Sequence, residues 1–373
     1  MLGRADNDVT LGWRCCDDLL VMLLVPADVL HPRRVDEHFA AEAAAARAAG
    51  YQVATIDHDE LARGGDPRRV VRHVTGGGPA VYRGWMVRSE QYAALAEALA
   101  EREVYLSTNA GQYRRGHELP GWYPALAGLT PTSVWTAGTD RDAFEVARTR
   151  LGAGPAVLRD YTKSMKHYWH EAAFIPDLTD ARAAWAVADR FAQLRGEDLV
   201  GGFVLRRYER FNGPEVRTWW INGVCGLVSA HPDTAQDRPP VDVNLDRVQA
   251  VVAGLDLSFV AVDLVHRDDG AWRVVEVGDG QVSDRPATTP AEQLITMLLG
   301  RRIDTSPHDD SLVEVLPQPS AIANWIAAAW RRVSGDCGCA DIYYCPASDA
   351  IECPRHGGFD TCCNRVAAHL PVR

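Results

Sequence analysis

The 373-residue sequence holds no long basic run, and its formal net charge is −11. A chain of that sign repels a phosphate backbone, which argues against a nucleic-acid partner on electrostatic grounds. No apolar stretch is long enough to cross a bilayer. Leu19 to Val25 is short, follows Asp17-Asp18 and stops at Pro26, which suits a buried strand. A membrane partner is therefore not expected. The first residues also lack the layout of a signal peptide, so the expected compartment is cytoplasmic and reducing. Six of the nine cysteines fall after residue 336, so disulfides cannot frame the whole fold, and Cys15-Cys16 are expected to be plain thiols. No GxGxxG follows the first strand candidate. Gly76-Gly77-Gly78 lacks the Lys-Ser/Thr of a phosphate loop and is read as a turn. No Ser–His–Asp or Cys–His pattern stands out. What is present is an ordinary globular composition, 47% hydrophobic and 24% charged, at a length suited to two or three domains.

The chain is organised around Phe259 to Val282. Two runs rich in β-branched and aromatic residues flank Asp268-Asp269-Gly270, the turn chemistry of a hairpin. Alternation puts Val260, Val262 and Leu264 on one face and Ala261, Asp263 and Val265 on the other. Asp263 and Glu276 can then face the same side of an antiparallel pair, with Asp279 following at a Gly-flanked bend. Three converging carboxylates repel each other unless a cation sits among them, and hard oxygen ligands point to Mg²⁺. Upstream, Arg159, Lys163 and Lys166 put three cations within eight residues, a spacing that suits a loop laying charge on phosphate oxygens.

A strand ending in Asp, a short turn, and a strand carrying Glu with a polar ligand a few residues on resembles the magnesium site of ATP-grasp enzymes. The segment Pro214 to Gly223 resembles the glutathione-synthetase-like pattern of acid, x, Arg, apolar strand and Gly turn. Lys163-Ser164 with a following Lys, the strand Val204 to Tyr208, and Glu276-Val277-Gly278-Asp279-Gly280-Gln281-Val282 look like the Arg-and-two-Lys clade of that superfamily. The resemblance covers roughly residues 80 to 300. It implies an α/β plus α+β architecture: a small parallel-sheet (pre-ATP-grasp) domain over 1–135, a two-subdomain ATP-grasp domain over 136–305, and a linker, helix and Cys-rich extension over 306–373. It further implies that ATP and Mg²⁺ are the cofactors. Arg217, Lys163 and Lys166 would act on the transferred phosphate. Arg159 would join them in holding the nucleotide, a hinge at Val204, Leu205 and Arg206 would meet adenine, and Glu215 or Glu209 would hold the ribose. Asp263, Glu276 and Asp279 would hold Mg²⁺. Two departures stand out: Gly278 occupies the position of a magnesium-binding Asn, and Arg159 that of a Lys.

In the first domain, strand candidates Leu19–Val25, Tyr51–Ile56, Ala80–Tyr82 and Val104–Leu106 alternate with helices over Val35–Ala49 and Glu90–Arg102, which predicts a mostly parallel sheet. Ser89 reads as an N-cap. Tyr82 to Trp85 and Thr108 to Tyr123 read as polar, aromatic loops. Arg83 and Arg114 on them, with Ser283, are the candidate substrate contacts, against the alternative that the arginines brace the domain contact. His117 is expected to be structural. Downstream, Asn222-Gly223 is the strongest hairpin signal in the chain.

In the extension, Ser320 to Arg332 is an amphipathic helix candidate. Cys337, Cys339, Cys345, Cys353, His356, Cys362 and Cys363 are candidate zinc ligands, although CxC and CC match no standard finger. Zinc, disulfides and free thiols all remain open there.

The activity implied by the resemblance is carboxylate–amine ligation, peptide-type, through an acylphosphate with release of ADP and phosphate. The partners would be small-molecule or peptide carboxylates and amines, with homodimerisation left open. The alternatives are a nucleotide- or peptide-binding scaffold without turnover, with the Cys-rich segment as its interaction module, and a kinase.

Overall fold

Short aliphatic runs alternate with helical segments through the first hundred residues, and they build a parallel sheet. The computed structural model describes residues 21–237, 239 and 243–299, together with the backbone of 343–345 and 350–352. The chain divides into two compact units, Met1–Arg302 and Ile303–Arg373. The first unit begins β1 (Met22–Pro26), α1 (Ala40–Ala48), β2 (Val53–Ile56), α2 (His58–Ala62), α3 (Pro67–Val70), β3 (Gly78–Tyr82), α4 (Ser89–Ala100) and β4 (Val104–Leu106). Its first sheet has the order β2-β1-β3-β4 and is parallel throughout. Both faces of β1 are covered, with Met22 and Leu24 in one core and Leu23 and Val25 in another, as a parallel sheet requires.

Thr108 to Tyr123, expected as loop, instead holds two helices, α5 (Ala110–His117) and α6 (Leu119–Leu126). The signal is Asn109 followed three residues later by Gln112. The Asn109 carboxamide accepts from the Gln112 N–H at 2.9 Å, and the Gln112 carboxamide accepts from the Asn109 N–H at 3.0 Å, a reciprocal cap. Ser89 is not the N-cap of α4. Arg88 holds that position, and the Ser89 hydroxyl donates to Glu118 at 2.6 Å, tying α4 to the start of α6.

Then follow β5 (Ser133–Trp135), α7 (Arg141–Leu151), β6 (Ala156–Arg159), β7 (Phe174–Ile175), α8 (Ala181–Arg195) and β8 (Val204–Arg207). These strands form an antiparallel sheet of order β5-β8-β6-β7. Phe144 and Leu151 of α7 and Ala184, Ala188 and Phe191 of α8 pack with Ala156, Leu158 and Leu205. Asp180 caps α8, accepting from the Ala183 N–H at 2.9 Å, and Gly196 ends it with φ 49°.

The third sheet is built from β9 (Phe211–Ile221), β10 (Val224–Ala230), β11 (Phe259–Arg267) and β12 (Trp272–Asp279), with α9 (Asp246–Gly254) before β11 and α10 (Ala291–Leu299) after β12. Its order is β10-β9-β11-β12, with antiparallel neighbours. Asn222 and Gly223 have φ of 47° and 78°, the left-handed pair that a two-residue hairpin turn needs. Helix α10 carries the chain back to the first sheet, where Ile295 and Leu299 meet Leu23 and Val25.

In the second unit, β13 (Tyr343–Cys345) pairs antiparallel with β14 (Ala350–Glu352). The expected helix over Ser320 to Arg332 and the cysteine and histidine side chains of the extension lie outside the described residues.

Candidate functional site

Strand alternation puts Glu215 and Arg217 of β9, Asp263 of β11, and Glu276 and Gly278 of β12 on one face of the third sheet. Asp263 stands opposite Arg217 on one neighbouring strand and opposite Glu276 on the other. The β11 residues of other parity, Val260, Val262 and Leu264, enter the core as expected. Arg217 grips Asp263 through two bonds: Nε donates to Oδ1 and Nη2 to Oδ2, each at 2.8 Å. Its third nitrogen, Nη1, donates to the Asp284 carbonyl at 2.8 Å.

A cleft of about 310 Å³ lies over this row, with Lys163, Ser164 and Lys166 on one side and Ser283 and Asp284 on another. The loop after β6 is pinned by a residue that no motif flagged. Asp160 is fully buried and accepts from the backbone N–H groups of Thr162, Lys163 and Val200 at 2.7, 2.6 and 3.2 Å. Arg195 Nε adds a fourth bond at 3.0 Å. The loop's geometry is thereby fixed from below, and the side chain of Lys163 reaches the cleft. Burial pulls the Lys163 ammonium below its ordinary value; Glu276 opposes this, while Arg159, Arg217 and Lys166 add to it. Lys166 is ion-paired with Asp233 across the opening.

Arg159 does not point a free fork at the cleft. It is buried, and its Nη2 donates to Glu276 Oε1 at 3.0 Å and to the Thr162 carbonyl at 2.8 Å. Burial alone would raise the Glu276 carboxyl, but Arg159, Lys163 and Arg206 hold it down to about 2. Glu276 is therefore an anion at every ordinary pH.

Asp279 is a correction. Three residues beyond Glu276, it stands on the opposite face of β12, paired with Val260. Its side chain is 2% exposed and caps the turn that follows, with Oδ1 accepting from the Gln281 N–H at 2.9 Å and from Gln281 Nε2 at 3.1 Å. Burial pushes its carboxyl up to about 7, against the Gln281 bonds. The three expected magnesium ligands thus do not converge; only Asp263 and Glu276 share the cleft.

Arg83 is also corrected. It is 1% exposed, with Nε and Nη2 donating to Glu42 at 2.7 and 2.9 Å. Nη1 donates to the carbonyls of Gly280, Gln281 and Ser283 at 2.6, 3.2 and 2.9 Å. All three of its nitrogens are engaged, which makes Arg83 a brace. Arg114 pairs with Glu118 at 3.3 Å and does not line the cleft, whereas Ser283 does.

The hinge expectation fails for a physical reason. β8 lies between β5 and β6, so the backbone of Val204, Leu205 and Arg206 is committed to its two neighbours. The side chains of Val204 and Leu205 enter two different cores. Arg206 donates to the Val275 carbonyl at 2.7 Å and to Thr130 Oγ1 at 2.8 Å. Glu209 gives both oxygens to Arg273, at 2.8 and 2.7 Å, which removes it as a ribose contact. Glu215 keeps a half-open carboxylate, which burial, then Asp263 and Glu276, push up to about 7.

Further polar residues outside the expected set line the site. His117, on α5, lines the cleft, and burial pulls its imidazole down to about 4. His231 and Asp233 come from the Pro- and Asp-rich segment after β10 and also line it. Their only sequence signal was polar composition, which fixes no position.

Residues 150–298 match the family model described as an ATP-grasp domain of the Arg-and-two-Lys clade, family 3. That stretch is an ATP-grasp domain, as the resemblance implied. No curated protein matches the chain. Among solved structures, the RimK domain protein ATP-grasp from Sphaerobacter thermophilus DSM 20745 superposes with a TM-score of 0.51 at 17% identity, over 75% of this chain and 99% of that one. D-cycloserine synthetase DcsG gives 0.47 at 20% identity, over 74% and 99%. The macrocyclase MdnC from Microcystis aeruginosa MRC, bound with precursor peptide MdnA, gives 0.47 at 12%, over 76% and 100%. At these identities the first likeness speaks for the fold alone, and the other two carry no argument.

Proposed function

We propose that this ATP-grasp domain makes the chain an ATP- and Mg²⁺-dependent ligase that joins a carboxylate to an amine. The single observation behind this reading is the row Arg217–Asp263–Glu276 across three neighbouring strands, facing Lys163 and Lys166 over one cleft. Anions and cations lining one cleft suit a polyphosphate with its counter-ion. Asp263 and Glu276 fit a hard divalent ion as oxygen donors, with no side chain at Gly278 to complete the set. A divalent ion held by these two carboxylates would supply positive charge to offset that of the phosphates.

The chain's own residues would do the remaining work by positioning and charge. Lys163 and Lys166 would take the outer phosphates, with Asp233 releasing Lys166 as phosphate enters. Arg217 would hold Asp263 in place with Nε and Nη2, and its guanidinium would face the transferred group. The substrate carboxylate would attack the γ-phosphate beside Ser283, breaking its bond to ADP and giving an acylphosphate. The amine would then displace phosphate. Among the described residues no helix is long and apolar enough to cross a membrane.

The test is calorimetric binding of ADP and of a non-hydrolysable ATP analogue, with and without Mg²⁺. Wild type should bind in a Mg²⁺-dependent manner, and Glu276→Ala should weaken binding by on the order of 100-fold, as expected for losing a metal-contacting group. Failure of the wild type to bind either nucleotide would overturn the reading. Product analysis then separates a ligase, which yields ADP and an amide, from a scaffold, which turns nothing over, and from a kinase, which yields ADP and a stable phosphoester.

A further inference from the structure

Beside the Asp263–Glu276 pair lies a second set of donors of different chemistry. Glu215, His231 and Asp263 each offer one ligand atom, and the three atoms lie within 4.8 Å of one another. His231 Nε2 sits between the two carboxylates, 3.6 Å from Glu215 Oε2 and 3.6 Å from Asp263 Oδ2. Those separations are too long for hydrogen bonds. They match the ligand-to-ligand spacing of roughly 3.4 Å that four-coordinate bonds of about 2.1 Å produce. The Glu215 carboxylate makes no hydrogen bond among the described residues. Asp263 Oδ2 has one lone pair committed to Arg217 and a second free to point toward the imidazole.

We infer that Glu215, His231 and Asp263 form a divalent-metal site of mixed imidazole and carboxylate character, distinct from the Asp263–Glu276 pair, that takes a first-row transition ion. An imidazole donor favours such ions over Mg²⁺, which prefers an all-oxygen octahedron. The site is reached from solvent: a neighbouring cavity of about 390 Å³ is lined by Glu215, His231, Asp233 and Asp237, and His231 also lines the main cleft. Behind the ring stands the group that ligation needs. Nδ1 accepts from the Asp233 N–H at 3.2 Å, with the Asp233 carboxylate 3.8 Å away. When Nε2 gives its lone pair to a metal, Nδ1 must carry the proton. A small ring rotation then trades the backbone bond for one to that carboxylate, the usual arrangement behind a metal-bound histidine. Lys166, which is ion-paired with Asp233, links this change to the phosphate loop.

The inference stands on this cluster and not on the ligase reading. The probe is Mn²⁺, without nucleotide, on the full chain; oxygen and imidazole ligands suit it, whereas the cysteines after residue 336 do not. Electron spin echo spectroscopy of bound Mn²⁺ should show ¹⁴N modulation from one imidazole. His231→Leu should lose that modulation and weaken Mn²⁺ binding at least tenfold. Glu215→Gln should weaken binding to a similar degree yet keep the modulation, which preserves the test if His231→Leu folds poorly. Asp233→Asn should weaken it by about tenfold through the second nitrogen. Absence of ¹⁴N modulation in the wild type, or modulation and affinity unchanged in His231→Leu, would overturn the inference. Mg²⁺–ADP binding on the same proteins separates the two readings. A chain that binds nucleotide but shows no nitrogen coupling fails only here, and one that shows the coupling but binds no nucleotide fails only as a ligase.

Discussion

Arg83→Met should be among the most destabilising single changes in the first unit. Arg83 and Glu42 are 1% and 3% exposed, and the substitution removes two bonds to the carboxylate together with three to the carbonyls of Gly280, Gln281 and Ser283. Breaking a buried pair from one side costs about 3–5 kcal/mol. Arg285 Nε still reaches Glu42 at 3.2 Å, which places the expected cost near the lower end, about 3 kcal/mol. For a body of this size that is a fall of roughly 5 °C in the melting temperature. The pH dependence supplies a sharper signature. Burial alone would raise the Glu42 carboxyl, but Arg83 and then Arg285 hold it below its ordinary value of 4.5. A depressed carboxyl contributes stability that is present above 4.5 and lost as pH falls through the folded value. With Arg83 gone, burial dominates and the sign reverses, so the deficit of the variant should shrink between pH 7 and pH 5. Adding Glu42→Gln should recover part of the loss, with a coupling of about 1–3 kcal/mol. Urea and thermal unfolding of the four proteins at both pH values complete the test. A deficit under about 1 kcal/mol, or one that does not change with pH, would refute the brace and return Arg83 to the substrate.

Asp279→Asn should stabilise the chain at pH 8 and do little at pH 4. The buried carboxyl has its value raised from 3.8 to about 7, so it costs stability progressively as pH rises through that window, up to about 4 kcal/mol by linkage. Thermal melts across pH would show the variant's advantage growing with pH, and a flat difference would contradict the placement. Gly278→Asn should be tolerated, because a Cβ there meets only Ser283 Oγ at 3.2 Å and the backbone is not left-handed. It would set an amide oxygen beside Glu276 and should tighten Mg²⁺-dependent ADP binding several-fold in calorimetry; weaker binding would mean that the cleft needs the space.

Periodicity and turn chemistry carried most of the local structure. The parallel order of the first sheet was legible in strands alternating with Ala-rich helices, and the 259–282 hairpin in its alternation and its Asp-Asp-Gly turn. Alternation also set Asp263 and Glu276 on one face, since the side-chain period of a strand is fixed by covalent geometry. Counted three residues further, the same rule puts Asp279 on the far face, where it stands; the Gly-flanked bend expected to bring it back does not. Helix α5 stayed hidden because its residues are mostly polar, and only the Asn109–Gln112 cap betrayed it; in α6, Pro120, Gly121 and Pro124 masked the helix.

The partners of each charge could not be read from the chain, because they come from segments far apart in sequence. Glu42, in a helix that looked chemically silent, meets Arg83. Glu209 meets Arg273 across 64 residues, and Arg159 meets Glu276 across 117. The strand Val204 to Arg207 looked free to meet a ligand until both its edges were paired. His231 became a site residue only when the end of β10 came down beside β9 and β11. Local sequence decides which face a side chain takes and where an element ends. Which charge is spent on a neighbour and which is left for a ligand depends on long-range packing, and only the folded chain decides it.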